Sequence, residues 1–588
     1  MVKNRDEIAA EYRWDLEKMF SSRDEWEQEF QDVQQELEKF ERFRGKVTES
    51  PETLREVLEL REDVSRRTSN VAAYARMRRD QDTRNQDAQA IASRAKSLRS
   101  KVSAETSFVK SEIQQEDSER LEELVESEEL QEFRHNLENL LRLKPYALSK
   151  ELENTLADLG EVLGTASDVY GMFTDADLTF PKLDRDGEQV ELTQSNFTKF
   201  LKDPDREFRR EVYEKFYDRF SEFRNTVATT LDKNVRTDTK LARIRGYDSS
   251  LEAALTPSNI PVKLYDNLID AVNDDIPTLR RHAELKEKTL GVDQLKMWDV
   301  YMPTAREEQP GIEYEEAKNT VLEALAPLGD EYVSRAREGL DSRWVDVYEN
   351  RGKRSGAYSG GSYDSPPYIL MNYQDDVTSM YTLAHELGHS MHSFYTTENQ
   401  PYRYSDYDIF IAEIASTVNE QLLTQHLLEH GDEKLKAFAL DHQLENFRNT
   451  LFRQTMFAEF EKVVHAKVED GQPLTPDVLD SEYRELKQKY YGEDVMDDRI
   501  AREWMRIPHF YYNFYVFQYA TGISAASRIK ELILDGKSEE YLDFLKRGGS
   551  DYPLELLGTL GIDMASGEPV RAAINEYDKY LDRAESIE

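Results

Sequence analysis

The chain has 588 residues, of which 39% are hydrophobic and none is cysteine. It contains 77 Lys and Arg and 117 Asp and Glu, which gives a formal net charge of −40. This length exceeds what one hydrophobic core supports, so at least two domains are expected and global disorder is excluded. The lack of cysteine excludes disulfides, thiolate catalysis and cysteine-ligated metals, and the negative charge disfavours nucleic acid and anionic membranes as partners.

Residues 1–145 are typical of a layer of long helices. Stretches such as "EWEQEFQDVQQELEKFERFRG" set narrow apolar stripes between Glu, Arg, Lys and Gln. Further along, "LTFPKLDRDGEQVEL" alternates in polarity and predicts a small hairpin that turns at Asp186 and Gly187. We therefore expect an N-terminal helical domain with a small hairpin over residues 1–200.

Residues 201–588 are predicted to form the second domain. The helical pattern resumes from about residue 204 to residue 345. Residues 351–374, "RGKRSGAYSGGSYDSPPYILMNYQ", instead predict a glycine-rich loop that leads into a short strand, "PYILMNY". Helical patterns dominate beyond that point, so the predicted fold class is mainly α, with a small β element next to the helix that follows.

That helix carries a metal-binding motif. Asp375 and Asp376 precede it as N-terminal signals. Apolar residues at spacings of three and four form its inward stripe: Val377, Met380, Ala384, Leu387, Met391 and Phe394. His385 and His389 lie about one turn apart on an adjacent face, so their imidazoles can bind one zinc ion. Glu386 is then placed as general base in an HExxH arrangement; a surface helix with solvated histidines is the alternative.

A catalytic zinc takes three protein ligands, and two candidates exist for the third. His392 lies about two turns from His385, a long reach for one ion, which favours a role beside the metal shell or toward substrate. The stretch "DYDIFIAEIASTVNEQLLTQHLLEHG" predicts a helix with Glu413 and Glu420 on one buried face. Glu413 as zinc ligand and Glu420 as partner of a ligand histidine would satisfy both carboxylates. A salt-bridged core acid is the alternative for either one, above all for Glu420.

The sequence resembles the oligoendopeptidase F group of the thimet oligopeptidase-like family of zinc metallopeptidases. Five stretches carry the resemblance: "YRWDLEKMF", "GKRSGAYSGGSYDSPPYILMNY", "HELGHSMHS", "IAEIASTVNE" and "PHFYYNFYVFQYATG". They extend over nearly the whole chain, and their combination is more specific than HExxH alone. The resemblance implies two helical portions around a deep active-site cleft that admits oligopeptides and excludes folded proteins. It also implies Glu413 as the third ligand, because "AEIAST" matches the family motif in place.

The resemblance further implies a role for the segment "REWMRIPHFYYNFYVFQYATG". Peptide hydrolysis places negative charge on the carbonyl oxygen, which hydrogen-bond donors stabilise. In similar proteins a His and Tyr residues of this segment do so, and the role is carried onto four residues: His509, Tyr512, Tyr515 and Tyr519. Which tyrosine is the main donor stays open. Tyr511 and Phe514 are predicted to lie in the core.

The glycine-rich loop is predicted to bind substrate. An extended peptide can add to an exposed strand edge through backbone hydrogen bonds, and glycines allow close backbone approach or loop movement. The candidate substrate-binding residues are Gly356, Tyr358, Gly360 and Gly361. A plain surface hairpin is the alternative.

These features predict that residues 201–588 form a catalytic zinc-peptidase domain. The protein is predicted to be a zinc-dependent endopeptidase with one Zn²⁺ per chain. It would hydrolyse internal peptide bonds of short oligopeptides with a metal-activated water and Glu386 as general base. A zinc carboxypeptidase on a similar helical scaffold is the rival enzyme, although no single Arg or Lys stands out to bind a free carboxylate. A helical binding protein without catalysis is the rival from another class, and the intact motif speaks against it.

The composition also bears on the setting of the protein. No stretch of about 18 apolar residues occurs, so no transmembrane helix is expected. The start, "MVKNRDEIAAEYRWDLEKMF", has no apolar core, so no signal peptide is expected. A cytoplasmic protein is the simplest interpretation. The acids are spread along the whole chain, which favours a surface adapted to high salt over an ordinary acidic protein. Cleavage preference and oligomeric state do not follow from the sequence.

Overall fold

The structure is a computed structural model that describes residues 2–304 and 310–587. Its α-helices, numbered α1 to α26 in chain order, are Arg23–Glu36, Pro51–Gln81, Gln86–Gln115, Ser118–Val125, Arg134–Leu143, Lys150–Asp158, Gly160–Leu163, Thr165–Met172, Gln194–Phe200, Arg206–Ser221, Arg224–Arg245, Ser250–Leu255, Val262–Asp274, Ile276–Leu290, Tyr314–Ala324, Asp330–Asp341, Val377–Asn399, Ile409–Ala412, Ile414–His430, Glu433–Asn446, Gln454–Glu469, Pro476–Tyr491, Phe517–Leu534, Ser538–Leu545, Pro553–Gly558 and Glu568–Ile587. The strands β1 to β5 are Lys182–Arg185, Glu188–Glu191, Val345–Tyr348, Tyr358–Gly360 and Tyr368–Tyr373. The predicted mainly α fold class is confirmed. None of the described helices has the long apolar stretch that crossing a bilayer requires.

Contacts divide the chain into two compact units, each assembled from segments that are distant in sequence. Unit 1 comprises Met1–Lys150, Gln309–His430 and Ile529–Gly561. Unit 2 comprises Glu151–Glu308, Gly431–Arg528 and Ile562–Glu588. The domain division predicted at residue 200 stays a prediction.

The core of unit 1 joins the N-terminal helices to a strand. Buried residues two helical turns apart line α2 and α3: Val57, Val64, Val71, Ile91 and Leu98. Tyr368 and Leu370 of β5 belong to the same apolar cluster. The predicted N-terminal helical layer is therefore present, and it supports the sheet described next.

A three-stranded sheet in unit 1 has the order β3-β5-β4. In β5, Ile369 is paired with Val345 of the parallel strand β3 and with Ser359 of the antiparallel strand β4. The strand predicted from "PYILMNY" is confirmed as β5. The helical prediction up to residue 345 is wrong at its end, because β3 begins at Val345. Strand β4 forms one edge of the sheet.

A buried ion pair anchors the start of the glycine-rich loop. Asp346 of β3 is 1% exposed, and its carboxylate accepts from Lys353 at 2.7 Å and from Arg5 at 2.5 Å. The Lys353 ammonium also donates to the carbonyls of Asp346 and Tyr348. The loop thus leaves the sheet from a position that is held by charge and hydrogen bonds.

The hairpin predicted in unit 2 is confirmed. Strands β1 and β2 are antiparallel and are joined by Asp186 and Gly187, whose φ angles are 56° and 85°. Two successive left-handed residues form the turn that matches the twist of a two-residue hairpin.

Candidate metal centre

Helix α17 carries the HExxH motif, and its N-terminal cap and buried stripe determine which way the motif faces. The Asp376 carboxylate caps its N-terminus by accepting from the Ser379 backbone N–H at 2.7 Å. The predicted stripe is buried along five of its six positions, with Phe394 half-buried. Because this stripe packs inward, His385 and His389 lie on an adjacent, partly exposed face.

Glu413 lies at a break between two helices. The sequence predicts one continuous helix here, but the structure has α18 ending at Ala412 and α19 beginning at Ile414, with Glu413 at φ −83° and ψ −4°. The Glu413 carbonyl still accepts from the Thr417 N–H at 3.1 Å. The helix is therefore interrupted at the predicted ligand and resumes at once.

Three donor atoms converge between α17 and the start of α19. The Nε2 atoms of His385 and His389 are 3.2 Å apart, and each lies 3.6 Å from Oε2 of Glu413. These separations place a common point about 2.0 Å from all three atoms, the length of a Zn–N or Zn–O bond. Within residues 2–304 and 310–587 this is the group of three His, Cys, Asp or Glu side chains with donor atoms close enough to share an ion. The donor set therefore fits zinc.

A glycine in the motif lets the two helices come close. A Cβ atom on Gly388 would lie 2.5 Å from the Ala415 carbonyl oxygen and 2.6 Å from Cα of Ser416. Nearby, the Asn419 side-chain amide donates to the Ala384 carbonyl at 3.1 Å. Neither residue is among the predicted site residues, although a glycine beside a ligand histidine is a signal for close helix packing.

Glu420 orients His385. Its Oε1 lies 2.5 Å from Nδ1 of His385, so Nδ1 carries the proton and Nε2 is left to face an ion. Burial by itself lowers the pKa of His385, but the hydrogen bond and charge of Glu420 raise it to about 9. Burial raises the pKa of Glu413, yet His389 and His385 lower it below its usual value. The site thus stabilises positive charge at His385 and negative charge at Glu413.

Glu386 is buried beside the edge strand. It is 7% exposed, and burial raises the pKa of its carboxyl, opposed by the neighbouring histidines and by a hydrogen bond from the Ser359 backbone. The hydroxyl of Ser359 also lies 2.8 Å from that of Ser390 on α17. Strand β4 and the HExxH helix are therefore joined next to the candidate base.

His392 lies outside the cluster of donor atoms. Its ring is fully buried and stacks on Tyr407, with centroids 3.7 Å apart and planes within 6°. Burial lowers the pKa of His392 to about 3. The imidazole is thus a neutral, packed ring on the helix that carries the ligands.

The predicted loop residues surround β4. The Tyr358 hydroxyl donates to Asp80 at 3.1 Å, and its ring lies under the guanidinium of Arg76, 5.5 Å from the centroid. Gly356 and Gly361 have left-handed φ angles of 82° and 136°, and a Cβ on Gly361 would meet the Pro366 carbonyl at 2.9 Å. Gly360 ends the strand. The Tyr358 side chain is therefore held by contacts within unit 1. Gly356 and Gly361 adopt backbone conformations that other residues rarely adopt.

The predicted donor segment belongs to unit 2, and its side chains form one aromatic group. The Tyr519 hydroxyl lies 3.3 Å from Nε2 of His509, and the rings of Tyr515 and His509 stack with centroids 6.1 Å apart. Tyr512 is 54% exposed. Burial lowers the pKa of His509, so the imidazole is neutral at neutral pH. The core positions predicted for Tyr511 and Phe514 are confirmed.

A buried glutamate that the sequence analysis missed holds this segment. Asn513 and Phe514 have left-handed φ angles of 44° and 58°, which are costly without glycine. Oε1 of Glu461 on α21 accepts from the Phe514 N–H at 3.0 Å, and His465 packs on the Phe514 ring with centroids 4.3 Å apart. Burial raises the pKa of Glu461 to about 8. Helix α21 therefore supports the strained turn between His509 and Tyr515.

Known proteins match this chain along its whole length. The model of Peptidase family M3 matches residues 199–576, and that of Oligopeptidase F matches residues 112–180. Oligopeptidase PepF of Bacillus subtilis is 43% identical over 593 residues, with 100% of this chain and 88% of the relative covered. The crystal structure of oligoendopeptidase-F from Enterococcus faecium is 35% identical, has a TM-score of 0.74 and covers 96% of this chain and 98% of its own. A crystal structure from Chlamydophila abortus is 34% identical, with a TM-score of 0.94 and 100% of both chains covered.

Proposed function

Because the chain belongs to peptidase family M3, we propose that it is a zinc-dependent endopeptidase that cleaves internal bonds of short oligopeptides. Membership of this family makes the chain a metallo-oligopeptidase that acts on peptides, as the resemblance implied. The observation that carries the finer proposal is the convergence of two imidazoles and one carboxylate at 3.2 to 3.6 Å.

His385, His389 and Glu413 would hold one zinc ion per chain. Two imidazole nitrogens and a carboxylate oxygen form a donor set that suits zinc among common divalent metals. When bound there, zinc lowers the pKa of water and polarises the scissile carbonyl. Glu420 keeps the proton of His385 on Nδ1 and so fixes the tautomer that a metal requires.

Glu386 acts as the general base. It follows the first ligand histidine and is not part of the donor group. Because burial raises the pKa of its carboxyl above the usual value, it takes a proton from the attacking water more readily than an exposed glutamate and returns it to the leaving amine.

The edge strand β4 binds the substrate backbone. Its pairing with β5 occupies one side, and the Ser359 backbone faces Glu386 on the other. A peptide that adds to this edge by main-chain hydrogen bonds would lie beside the base with little dependence on its side chains. Gly356, Gly360 and Gly361 allow the close approach, and Tyr358 holds the strand through Asp80.

His509 and the tyrosines stabilise the oxyanion. Neutral imidazole and phenol groups are donors suited to a developing negative charge. The grouping of Tyr512, Tyr515 and Tyr519 around His509 supports their joint action. Exposure of Tyr512 makes it the most accessible donor of the three.

The remaining predictions are part of the same proposal. We infer an N-terminal helical domain with a small hairpin over residues 1–200 and a catalytic zinc-peptidase domain over residues 201–588. We also infer a cytoplasmic enzyme and a surface adapted to high salt. The net charge of −40 supports the last inference and disfavours nucleic acid as a partner.

Substitution of the base tests the mechanism. Glu386→Gln should keep the zinc content of the wild type and lose about 10²–10⁴-fold in kcat, measured with a fluorogenic oligopeptide blocked at both ends. Glu398→Gln, an exposed glutamate on the same helix, is the matched control and should behave as wild type. Near-normal turnover by Glu386→Gln would refute the role of the base. A wild type that leaves the blocked peptide intact but shortens an unblocked one from its C-terminus would favour the carboxypeptidase.

A further inference from the structure

One cluster in the interior of unit 2 contains more cationic than anionic side chains. Four cations lie close together there: Lys286, Arg448, Arg453 and Lys487. Glu445 pairs with Lys286 at 2.5 Å and with Arg448 at 2.7 Å. Glu503 pairs with Arg453 at 2.7 Å and with Lys487 at 2.6 Å. Four positive charges therefore share two carboxylates in a region where uncompensated charge is costly.

Neighbouring groups do not remove this surplus. Asp441 is a further acid that acts on Lys286, but Arg506 adds a further cation that acts on Glu503. His282 is fully buried, and burial lowers its pKa well below the usual value, so it is neutral. Among the described residues this cluster thus has five cations and three carboxylates, a surplus of two positive charges.

A small cavity is lined by three of these cations, Arg448, Arg453 and Lys487. Its polar walls are Tyr301, Arg448, Arg453, Lys487 and Glu503, and most of the rest is apolar or aromatic. It has room for about one particle of the size of a water molecule or a halide ion. Polyatomic anions such as phosphate are too large for it.

Hydrogen-bond donors beside the cavity lack partners. Nε of Arg453, which lines the cavity, is buried without a partner among the described residues. The same holds for one terminal nitrogen of Arg506, whose charge acts on the lining residues Tyr301 and Glu503. Burial raises the pKa of the Tyr301 phenol, but Arg453, Arg506 and Arg448 lower it below its usual value. The cavity therefore combines free N–H donors with a positive potential.

We propose that this cavity is a binding site for a small monovalent inorganic anion, with chloride as its ordinary occupant. The ion would accept from the guanidinium N–H groups and neutralise part of the surplus charge. It would stabilise unit 2 because it binds the folded state and not the unfolded state. This effect differs from general screening by salt, because it is specific for the anion and saturates.

Melting of the full-length zinc enzyme tests the proposal, in sodium chloride against sodium gluconate at equal ionic strength. Chloride should raise the Tm by about 1–2 °C at ten times its dissociation constant, and the gain should saturate. Arg453→Met should lose the difference between the two salts. Arg281→Met, whose partners Asp578, Asp582 and Glu585 lie at a partly exposed site, should keep it. Equal melting of the wild type in both salts would overturn the proposal.

Crystals grown in sodium bromide give a second measurement that does not depend on how Arg453→Met folds. An anomalous bromide peak in the cavity is expected, and an empty or water-filled cavity overturns the proposal. A tyrosinate absorption band at neutral pH that disappears in Tyr301→Phe would also overturn it, because the phenolate would then be the missing anion.

Discussion

Replacing Gly388 by alanine should separate the two helices that carry the metal ligands. The added Cβ would lie 2.5 Å from the Ala415 carbonyl oxygen and 2.7 Å from the Ser416 nitrogen, and both are backbone atoms. Ordinary contact begins at about 3.4 Å, so α19 must move away from α17 by about 0.7–0.9 Å. No side-chain rotation can relieve a contact between a Cβ and a backbone.

This displacement acts directly on the donor group. Glu413 precedes Ala415 by two residues, so its carboxylate should retreat from the two imidazoles by a similar distance. Metal–ligand bonds tolerate about 0.2 Å, and a shift near 1 Å in a catalytic group costs about 100-fold in rate. We therefore expect weaker zinc binding and a fall in kcat/KM of about 100-fold for Gly388→Ala. Overpacking should also cost about 1–3 kcal/mol of stability.

The assay compares zinc content after dialysis, kcat/KM and urea unfolding. Gly171→Ala is the matched control, because Gly171 lies in helix α8 and a Cβ there meets nothing within 4 Å. That control should gain about 0.5–1 kcal/mol in stability and keep its activity. Wild-type zinc affinity and activity in Gly388→Ala would refute the argument that close helix approach positions Glu413.

Two further predictions concern buried carboxylates. Burial raises the pKa of Glu461 to about 8 from a usual 4.5, so the folded state keeps a proton that the unfolded state releases, and the free energy of unfolding falls as pH rises between these values. In urea unfolding, the wild type should lose about 4 kcal/mol of stability between about pH 5 and pH 9, and Glu461→Gln should abolish this loss. The same pH dependence in both proteins would contradict this. Glu420→Gln should weaken zinc binding about 10–100-fold in chelator competition, because His385 loses its charged partner, and unchanged affinity would show that the amide orients the ring equally well.

The ligand helix could be predicted because its signals are local. The apolar stripe of α17 has the helical period, and the ligand histidines are spaced by one turn on the next face. Glu413 could be named as a candidate from its place on an amphipathic stretch. The break at Glu413 could not, since "IAEIAST" contains neither proline nor glycine and the interruption depends on how α18 and α19 pack.

Strand β3 shows what local patterns cannot decide. Its four residues, "VDVY", are too few to distinguish period 2 from period 3.6. Its parallel partner, β5, lies more than 20 residues further along the chain. Asp346 also argues against a buried strand until its counter-ions Lys353 and Arg5 are known. The position of β3 thus depends on pairing and charge compensation from distant segments.

The contacts that pack α17 against α19 are distinct from the donors that face the metal site. Asn419 binds the Ala384 carbonyl, and the hydroxyls of Tyr381 and Thr424 lie 2.9 Å apart. These groups are buried, whereas the ligand side chains are partly exposed on the adjacent face. Substitutions of the ligands should therefore remove metal and activity while the helices stay packed. Gly388 affects both the packing and the metal site. Because it has no side chain, α17 and α19 can pack at the distance that brings Glu413 to the histidines.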